Sequence, residues 1–279
     1  MKKILISFGT RPEIIKLYPV IKALKEYKNI KVELFNSGQQ AHLSDSFVRQ
    51  FKLKPKYYSN MRNTGLNSIV SQITDKLQTI FSIHEEFDLV VVQGDTTTAM
   101  ASALAAFNNK IPIAHVEAGL RTYNNYDPFP EEKNRQLISQ LSTYHFCPTR
   151  GNYLDLEVEG IFNKKYIVGN TSIDVVKTIK PIIKKKDYKQ ILLTIHRREN
   201  LESGKAFQYL SALEDFLHLT GDIKCKWVVH PNSNLKEDFK ILNCFEFVEP
   251  LPYNEFVQEM YNSDLILSDS GAVSEECTI

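Results

Sequence analysis

No two of the four cysteines, Cys147, Cys225, Cys244 and Cys277, stand in C-x-x-C spacing. A zinc or dithiol motif legible from spacing is thereby excluded, and a chain kept reduced in the cytoplasm fits best. Long apolar runs are missing as well. Stretches such as 89–92 and 191–193 fall far short of the roughly 20 residues that span a bilayer. The opening Met1-Lys2-Lys3-Ile4-Leu5-Ile6 leads into a strand-like run rather than a secretory apolar core. A soluble protein with no membrane partner is expected. Neither charge sign dominates: 34 Lys and Arg face 33 Asp and Glu, a net charge of +1. There is therefore no broad positive field for a nucleic acid or a lipid surface, and any anion site must be local. A G-x-G-x-x-G turn and a Walker loop are also absent, which counts against tightly held NAD and against ATP hydrolysis.

What is present is a chain of 279 residues, 43% apolar, larger than one hydrophobic core usually serves. Short β-branched runs recur at 4–8, 32–35, 89–92, 112–116, 191–195, 226–229 and 265–267. Helical periods lie between them. Leu66, Ile69, Val70, Ile73, Leu77, Ile80 and Phe81 step by threes and fours along one face, and Ile14, Leu17, Tyr18, Ile21 and Leu24 do the same. Strands apolar on both faces alternating with amphipathic helices predict an α/β fold of doubly wound parallel sheets. We expect an N-terminal domain over 1–168 and a second over 169–279. The lysine-rich segment 180–189, with Pro181, reads as a solvated connection.

The unusual residues fall at the C-terminal ends of predicted strands, where open α/β sheets bind ligands. Thr10 can cap a helix carrying Pro12 in its first turn, leaving backbone N–H groups and Arg11 beside the sheet edge; the alternative is an ordinary capped turn. Asp95 follows a buried strand and is open to two readings, N-cap or catalyst. Glu117 emerges from the apolar strand at His115-Val116, a costly place for a carboxylate unless it is paired or used. Glu131 and Glu132 follow Pro128-Phe129-Pro130, where a helix start favours negative charge whether or not it has a chemical role. Three carboxylates on three loops at one edge suit acid and base duties around one carbon. His196-Arg197-Arg198 offers guanidinium forks for phosphate beside an imidazole; the alternative is a solvated basic turn. His230 ends another strand. Ser270-Gly271-Ala272 forms a small-residue turn suited to phosphate, with Glu275 or Glu276 one turn on for a ribose.

In this order, Gly9-Thr10-Arg11-Pro12-Glu13-Ile14-Ile15-Lys16, Gly94-Asp95-Thr96-Thr97-Thr98, His115-Val116-Glu117-Ala118-Gly119-Leu120-Arg121-Thr122, Pro128-Phe129-Pro130-Glu131-Glu132-Lys133-Asn134-Arg135, Gly169-Asn170-Thr171, His196-Arg197-Arg198-Glu199 and Asp269-Ser270-Gly271 resemble the non-hydrolysing UDP-N-acetylglucosamine 2-epimerase family. The resemblance spans the whole chain. It implies two Rossmann-like domains of the glycosyltransferase-B type, usually in a homodimer, acting on UDP-N-acetylglucosamine and UDP-N-acetylmannosamine for cell-surface polysaccharide. Neither NAD, another cofactor nor a metal is implied. The implied chemistry removes the C2 proton together with UDP to leave a 2-acetamidoglucal, then returns UDP with a proton on the opposite face. Carried over by motif, Asp95, Glu117, Glu131 and His196 are catalytic. Arg11, Lys16, Arg121, Arg135, His230, Ser270, Gly271, Ala272 and Glu276 bind the nucleotide sugar.

Three departures qualify the resemblance. The family usually has two glycines after the serine of the last motif, where this chain has Gly271-Ala272, so a Cβ approaches the phosphate position. Residues 39–42 and 61–63 match poorly the pattern with which relatives bind an activating second substrate. Members also continue past the position of Ile279, which implies a C-terminally truncated chain with an incomplete second domain. Three other readings compete with the epimerase: the hydrolysing 2-epimerase, which releases N-acetylmannosamine and UDP; a glycosyltransferase sharing the fold; and an inactive nucleotide-sugar binder.

Overall fold

Strands that are apolar on both faces need cover on each side, and here amphipathic helices supply it. The structure, a computed structural model, describes residues 1–59, 61, 65–83, 86–162, 164–195, 205–229 and 244–278, with the backbone alone at 41–43, 205 and 206. It divides into two compact units, Met1–Thr171 and Ser172–Ile279.

The first unit contains strands β1 (Lys2–Phe8), β2 (Ile30–Asn36), β3 (Tyr57–Tyr58), β4 (Leu89–Gln93), β5 (Ile113–Val116), β6 (Tyr144–Cys147) and β7 (Lys165–Ile167). All pair in parallel, in the order β3-β2-β1-β4-β5-β6-β7. The chain starts at β1, winds out to β3 and returns to β4 on the other side of β1. The winding thus reverses between β1 and β4, and the loops at their C-terminal ends flank the crevice where such sheets take ligands.

Each helix of this unit shows why its segment folds as it does. Helix α1 (Arg11–Lys25) starts from an extended Thr10 with Pro12 in its first turn and Glu13 completing a capping box, and it buries Ile14, Leu17 and Ile21. Helix α2 (Ala41–Gln50) follows β2, and Phe51 at its end stacks on Tyr18 at 4.4 Å. Helix α3 (Leu66–Ile83) buries Ile69, Ile73, Leu77 and Ile80 of the expected stripe, while Leu66 at its first position stays exposed. Truncating fully buried Leu77 to alanine costs about 2–5 kcal/mol. Helix α4 (Thr97–Asn108) is rich in alanine, and its small side chains let it lie close on the sheet. Ser102 Oγ sits 2.7 Å from Ser7 Oγ of β1 in a buried hydroxyl pair. Helices α5 (Glu131–Leu141) and α6 (Arg150–Val158) complete the unit.

The second unit holds α7 (Thr171–Thr178), β8 (Lys189–Thr194), α8 (Lys205–Thr220), β9 (Ile223–Val228), β10 (Phe245–Val248), α9 (Tyr253–Tyr261), β11 (Leu265–Ser268) and α10 (Gly271–Glu276). Its four strands run parallel in the order β10-β9-β8-β11. The core gathers on Trp227, fully buried and edge-on to Phe245 at 5.8 Å, with Ile191, Leu193, Leu210 and Leu217. The lysine-rich connection before β8 is solvated yet anchored. Gln258 of α9 and Asn262, which caps its C-terminal end, clamp its backbone, accepting from Ile182 N at 2.8 Å and Lys184 N at 2.7 Å and donating to Lys180 O at 2.7 Å and Ile182 O at 2.8 Å. Among the described residues, no helix is long and apolar enough to cross a membrane.

Candidate active site

The loops after β1, β4 and β5 converge on two carboxylates, each with its own cation. Asp95 follows Gly94, whose φ of +68° turns the chain off the end of β4. Its carboxylate pairs with the Arg135 guanidinium, and its carbonyl accepts a 2.9 Å hydrogen bond from Asn134 Nδ2. Glu117 leaves β5 with a φ of +66°, a left-handed conformation that costs a side-chain-bearing residue about 1–2 kcal/mol. Such strain tends to persist where surrounding contacts over-determine it. Here Lys16 Nζ takes one carboxylate oxygen of Glu117 and Gln93 Nε2 the other. A methyl group on Gly94 would stand 3.3 Å from Glu117 Oε2, so glycine also makes room for the second carboxylate.

Lys16 connects the two. It pairs with Glu117, and its charge also bears on Asp95. Burial pushes the Asp95 carboxyl above its ordinary value, and Arg135 and Lys16 pull against that rise. The result is a carboxyl suited to exchanging a proton, beside one held in a lysine ion pair.

A third carboxylate supports the site from below. Glu13 is wholly buried, and its Oε2 accepts from Gly9 N at 2.9 Å, Thr10 N at 2.8 Å and Thr10 Oγ1 at 2.8 Å. Its Oε1 accepts from Thr96 Oγ1 at 2.7 Å, while Thr96 Oγ1 itself caps α4 by accepting from Ala99 N at 3.0 Å. Burial pushes the Glu13 carboxyl up to about 7 against the pull of those hydrogen bonds. Close packing continues at Gly9, where an added Cβ would lie 1.9 Å from Ser37 Oγ. His115, also buried, meets Gly94 O through Nε2 at 2.8 Å, and desolvation lowers it to about 3, so it is neutral.

Of the two helix-start glutamates, Glu132 is the buried one. It accepts from Thr122 N at 2.9 Å, Tyr123 N at 3.3 Å and Gln136 Nε2 at 2.9 Å. Burial works to raise its carboxyl, but those bonds and nearby Arg135 hold it below the ordinary value. Glu131 is half-buried and has no hydrogen-bond or ion-pair partner among the described residues. Four residues ahead of Arg135 on α5, it shares the face that meets Asp95.

The other expected residues are placed as follows. Arg11 stacks its guanidinium 4.9 Å over the Phe47 ring. The Arg121 side chain is fully buried and forks onto Glu159, with Nε to Oε1 and Nη2 to Oε2 both at 2.6 Å. It also donates to Leu120 O at 2.7 Å and Ser139 Oγ at 3.1 Å. Its guanidinium therefore braces the 117–122 loop from behind. In the second unit, Ser270 begins α10 without using its hydroxyl as a cap, and Gly271 and Ala272 are exposed. Glu276 is buried, with Oε1 accepting from Tyr253 OH at 3.1 Å. His196 and His230, with Arg197, Arg198 and Glu199, lie outside the described residues, as do Arg62 and Asn63.

Sequence reasoning passed over Glu13, Gln93 and Thr96 as parts of this network. The signal for Glu13 was present: Thr10-Arg11-Pro12-Glu13 is a T-x-x-E capping box before an apolar run.

Two parallel, doubly wound units with a carboxylate and cation network at the switch point of the first define a protein of the glycosyltransferase-B architecture. The chain belongs to the UDP-N-acetylglucosamine 2-epimerase family, whose model matches residues 22–279. It is 39% identical to the UDP-N-acetylglucosamine 2-epimerase of Campylobacter jejuni over 99% of this chain and 78% of that one. Among solved structures it resembles the S. aureus MnaA–UDP complex, with TM-score 0.88 and 37% identity over 99% of this chain and 77% of that chain. The UDP-GlcNAc 2-epimerase of Neisseria meningitidis bound to UDP-GlcNAc matches with TM-score 0.86 and 36% identity, over 98% of this chain and 79% of that chain.

Proposed function

We propose that the chain reversibly epimerises UDP-N-acetylglucosamine to UDP-N-acetylmannosamine at C2 without net hydrolysis. The observation that carries this reading is the pairing of Asp95 with Arg135 and of Glu117 with Lys16 at one sheet edge. The C2 proton of an N-acetylhexosamine is not acidic, so its removal has to be coupled to departure of UDP from C1. The C2–H and C1–O bonds break, a C1=C2 double bond forms, and the proton passes to a carboxylate. Re-addition restores the C1–O bond and delivers a proton to the other face of C2. Two positioned carboxyls, each paired with its own cation, suit those opposite duties.

In this reading Asp95, Glu117 and Glu131 share the proton transfers and support positive charge at C1, while His196 acts on the leaving diphosphate. Arg11, Lys16 and Arg135 offset the charge of the departing UDP. Ser270, Gly271 and Ala272 hold a phosphate, and His230 and Glu276 hold the rest of the nucleotide. Arg121 acts through the loop it braces. The cysteine spacing, with no C-x-x-C pair, supports a reducing cytoplasm, and the family resemblance supports a homodimer.

Quantifying products separates this course from the hydrolysing one. Incubation with UDP-N-acetylglucosamine should yield UDP-N-acetylmannosamine at equilibrium with only traces of free UDP. Free UDP and N-acetylmannosamine accumulating in equal amounts would replace the proposal with hydrolysis.

A further inference from the structure

A second cluster of chemistry-bearing side chains lies within the second unit, at the edge of its sheet opposite the C-terminal strand ends that carry Ser270. Glu214 and His218 are four residues apart on α8 and therefore share one face. Cys244 immediately precedes β10. Its Sγ lies 3.3 Å from His218 Nε2, and its backbone N–H donates to Glu214 Oε1 at 3.3 Å. One donor atom from each residue falls within 4.8 Å of the others.

We propose that Glu214, His218 and Cys244 form a binding site for a borderline-soft divalent ion of the zinc class. Thiolate, imidazole and carboxylate are the three donor types that zinc accepts, at about 2.3, 2.0 and 2.1 Å respectively. Donors about 2.0–2.3 Å from one tetrahedral centre lie roughly 3.3–3.8 Å apart, so the sulfur-to-nitrogen distance of 3.3 Å is already at the separation required. His218 is exposed and Glu214 half-buried, which keeps a path open for the ion. The mixed donor set selects against magnesium and calcium, which take all-oxygen shells. On binding, the Cys244 S–H bond breaks, sulfur joins the metal and the proton leaves to solvent. Three protein donors leave the fourth position to water. The ion would tie the last turns of α8 to the start of β10, elements separated by β9 in the chain. Its effect is therefore on the stability of this unit and not on the chemistry at Asp95 and Glu117.

The test titrates the full chain with Zn²⁺ against a chromogenic chelator and with Co²⁺ by absorbance, using Cys244→Ser and His218→Ala as variants. His218 is exposed, so its replacement spares the core, and circular dichroism verifies the fold of both variants. We expect one ion per chain, a thiolate-to-cobalt charge-transfer band lost in Cys244→Ser, and zinc affinity at least about tenfold weaker in each variant, since even residues behind the ligands typically contribute that much. Zinc should also raise the melting temperature of the parent chain and not that of either variant. No zinc retained against the chelator, or equal affinity in the parent and both folded variants, would overturn the assignment.

Discussion

Thr96 Oγ1 donates a 2.7 Å hydrogen bond to Glu13 Oε1, fastening the cap of α4 to the first turn of α1 across the point where the sheet reverses its winding. Glu13 thereby fixes the spacing between the Gly9-Thr10 loop and Asp95. Its carboxyl, raised by burial to about 7 from 4.5, retains its proton in the folded state over a range where the unfolded chain has lost it. Stability attributable to this group should be fully present below pH about 4.5 and fall as pH rises to about 7. Glu13→Gln retains an oxygen acceptor and cannot ionise. Urea titrations between pH 4 and 8 should show that decline flattened in the variant, and an unchanged slope would contradict the assignment.

Glu33 gives the opposite slope. Burial raises its carboxyl, but hydrogen bonds from Lys56 at 2.8 Å and Tyr57 at 2.6 Å, with Lys31, outweigh that and bring it to about 2. Its contribution should be present above pH about 4.5 and disappear as pH falls toward 2. Acid unfolding of Glu33→Gln should lack this part of the transition.

Gly119 and Gly160 separate conformational strain from collision. Both have positive φ, +88° and +78°, so alanine at either should cost about 1–2 kcal/mol. At Gly119 the new Cβ would also lie 2.1 Å from Asn152 O, whereas nothing lies within 4 Å at Gly160. Denaturant midpoints should rank Gly119→Ala well below Gly160→Ala, with the first losing activity because the loop bearing Glu117 must move. Equal losses would mean that the close approach of α6 is not what demands glycine at 119.

Arg121→Lys replaces a fork that meets both Glu159 oxygens at 2.6 Å with a single ammonium, which cannot reproduce it. The expected result is a stability loss of about 1–3 kcal/mol, with KM for the nucleotide sugar nearly unchanged and any fall confined to kcat. A large rise in KM with unaltered stability would assign Arg121 to substrate instead.

Much of this arrangement was legible because it depends on local pattern. Both-face apolar strands, the α3 stripe and the residues ending β1, β4 and β5 each follow from a few neighbouring positions, and parallel winding brings those strand ends to one edge. The pairings were not legible. Nothing in sequence spacing shows that Lys16 meets Glu117 across 101 positions, or that Arg121 faces Glu159 from behind the loop. The choice between Glu131 and Glu132 was equally hidden, since adjacent helix positions point about 100° apart and only the packing of α5 decides which is buried. The Glu214, His218 and Cys244 cluster joins separate elements and matches no short spacing motif.

The central claim is that the carboxylates at this edge exchange the C2 proton as UDP leaves and returns. The most direct test is incubation with UDP-N-acetylglucosamine in deuterated water, following C2 and free UDP by NMR. The account predicts deuterium at C2 of the manno epimer as it appears, with only traces of free UDP. Epimer formed without deuterium, or UDP bound with no exchange at C2, would contradict it.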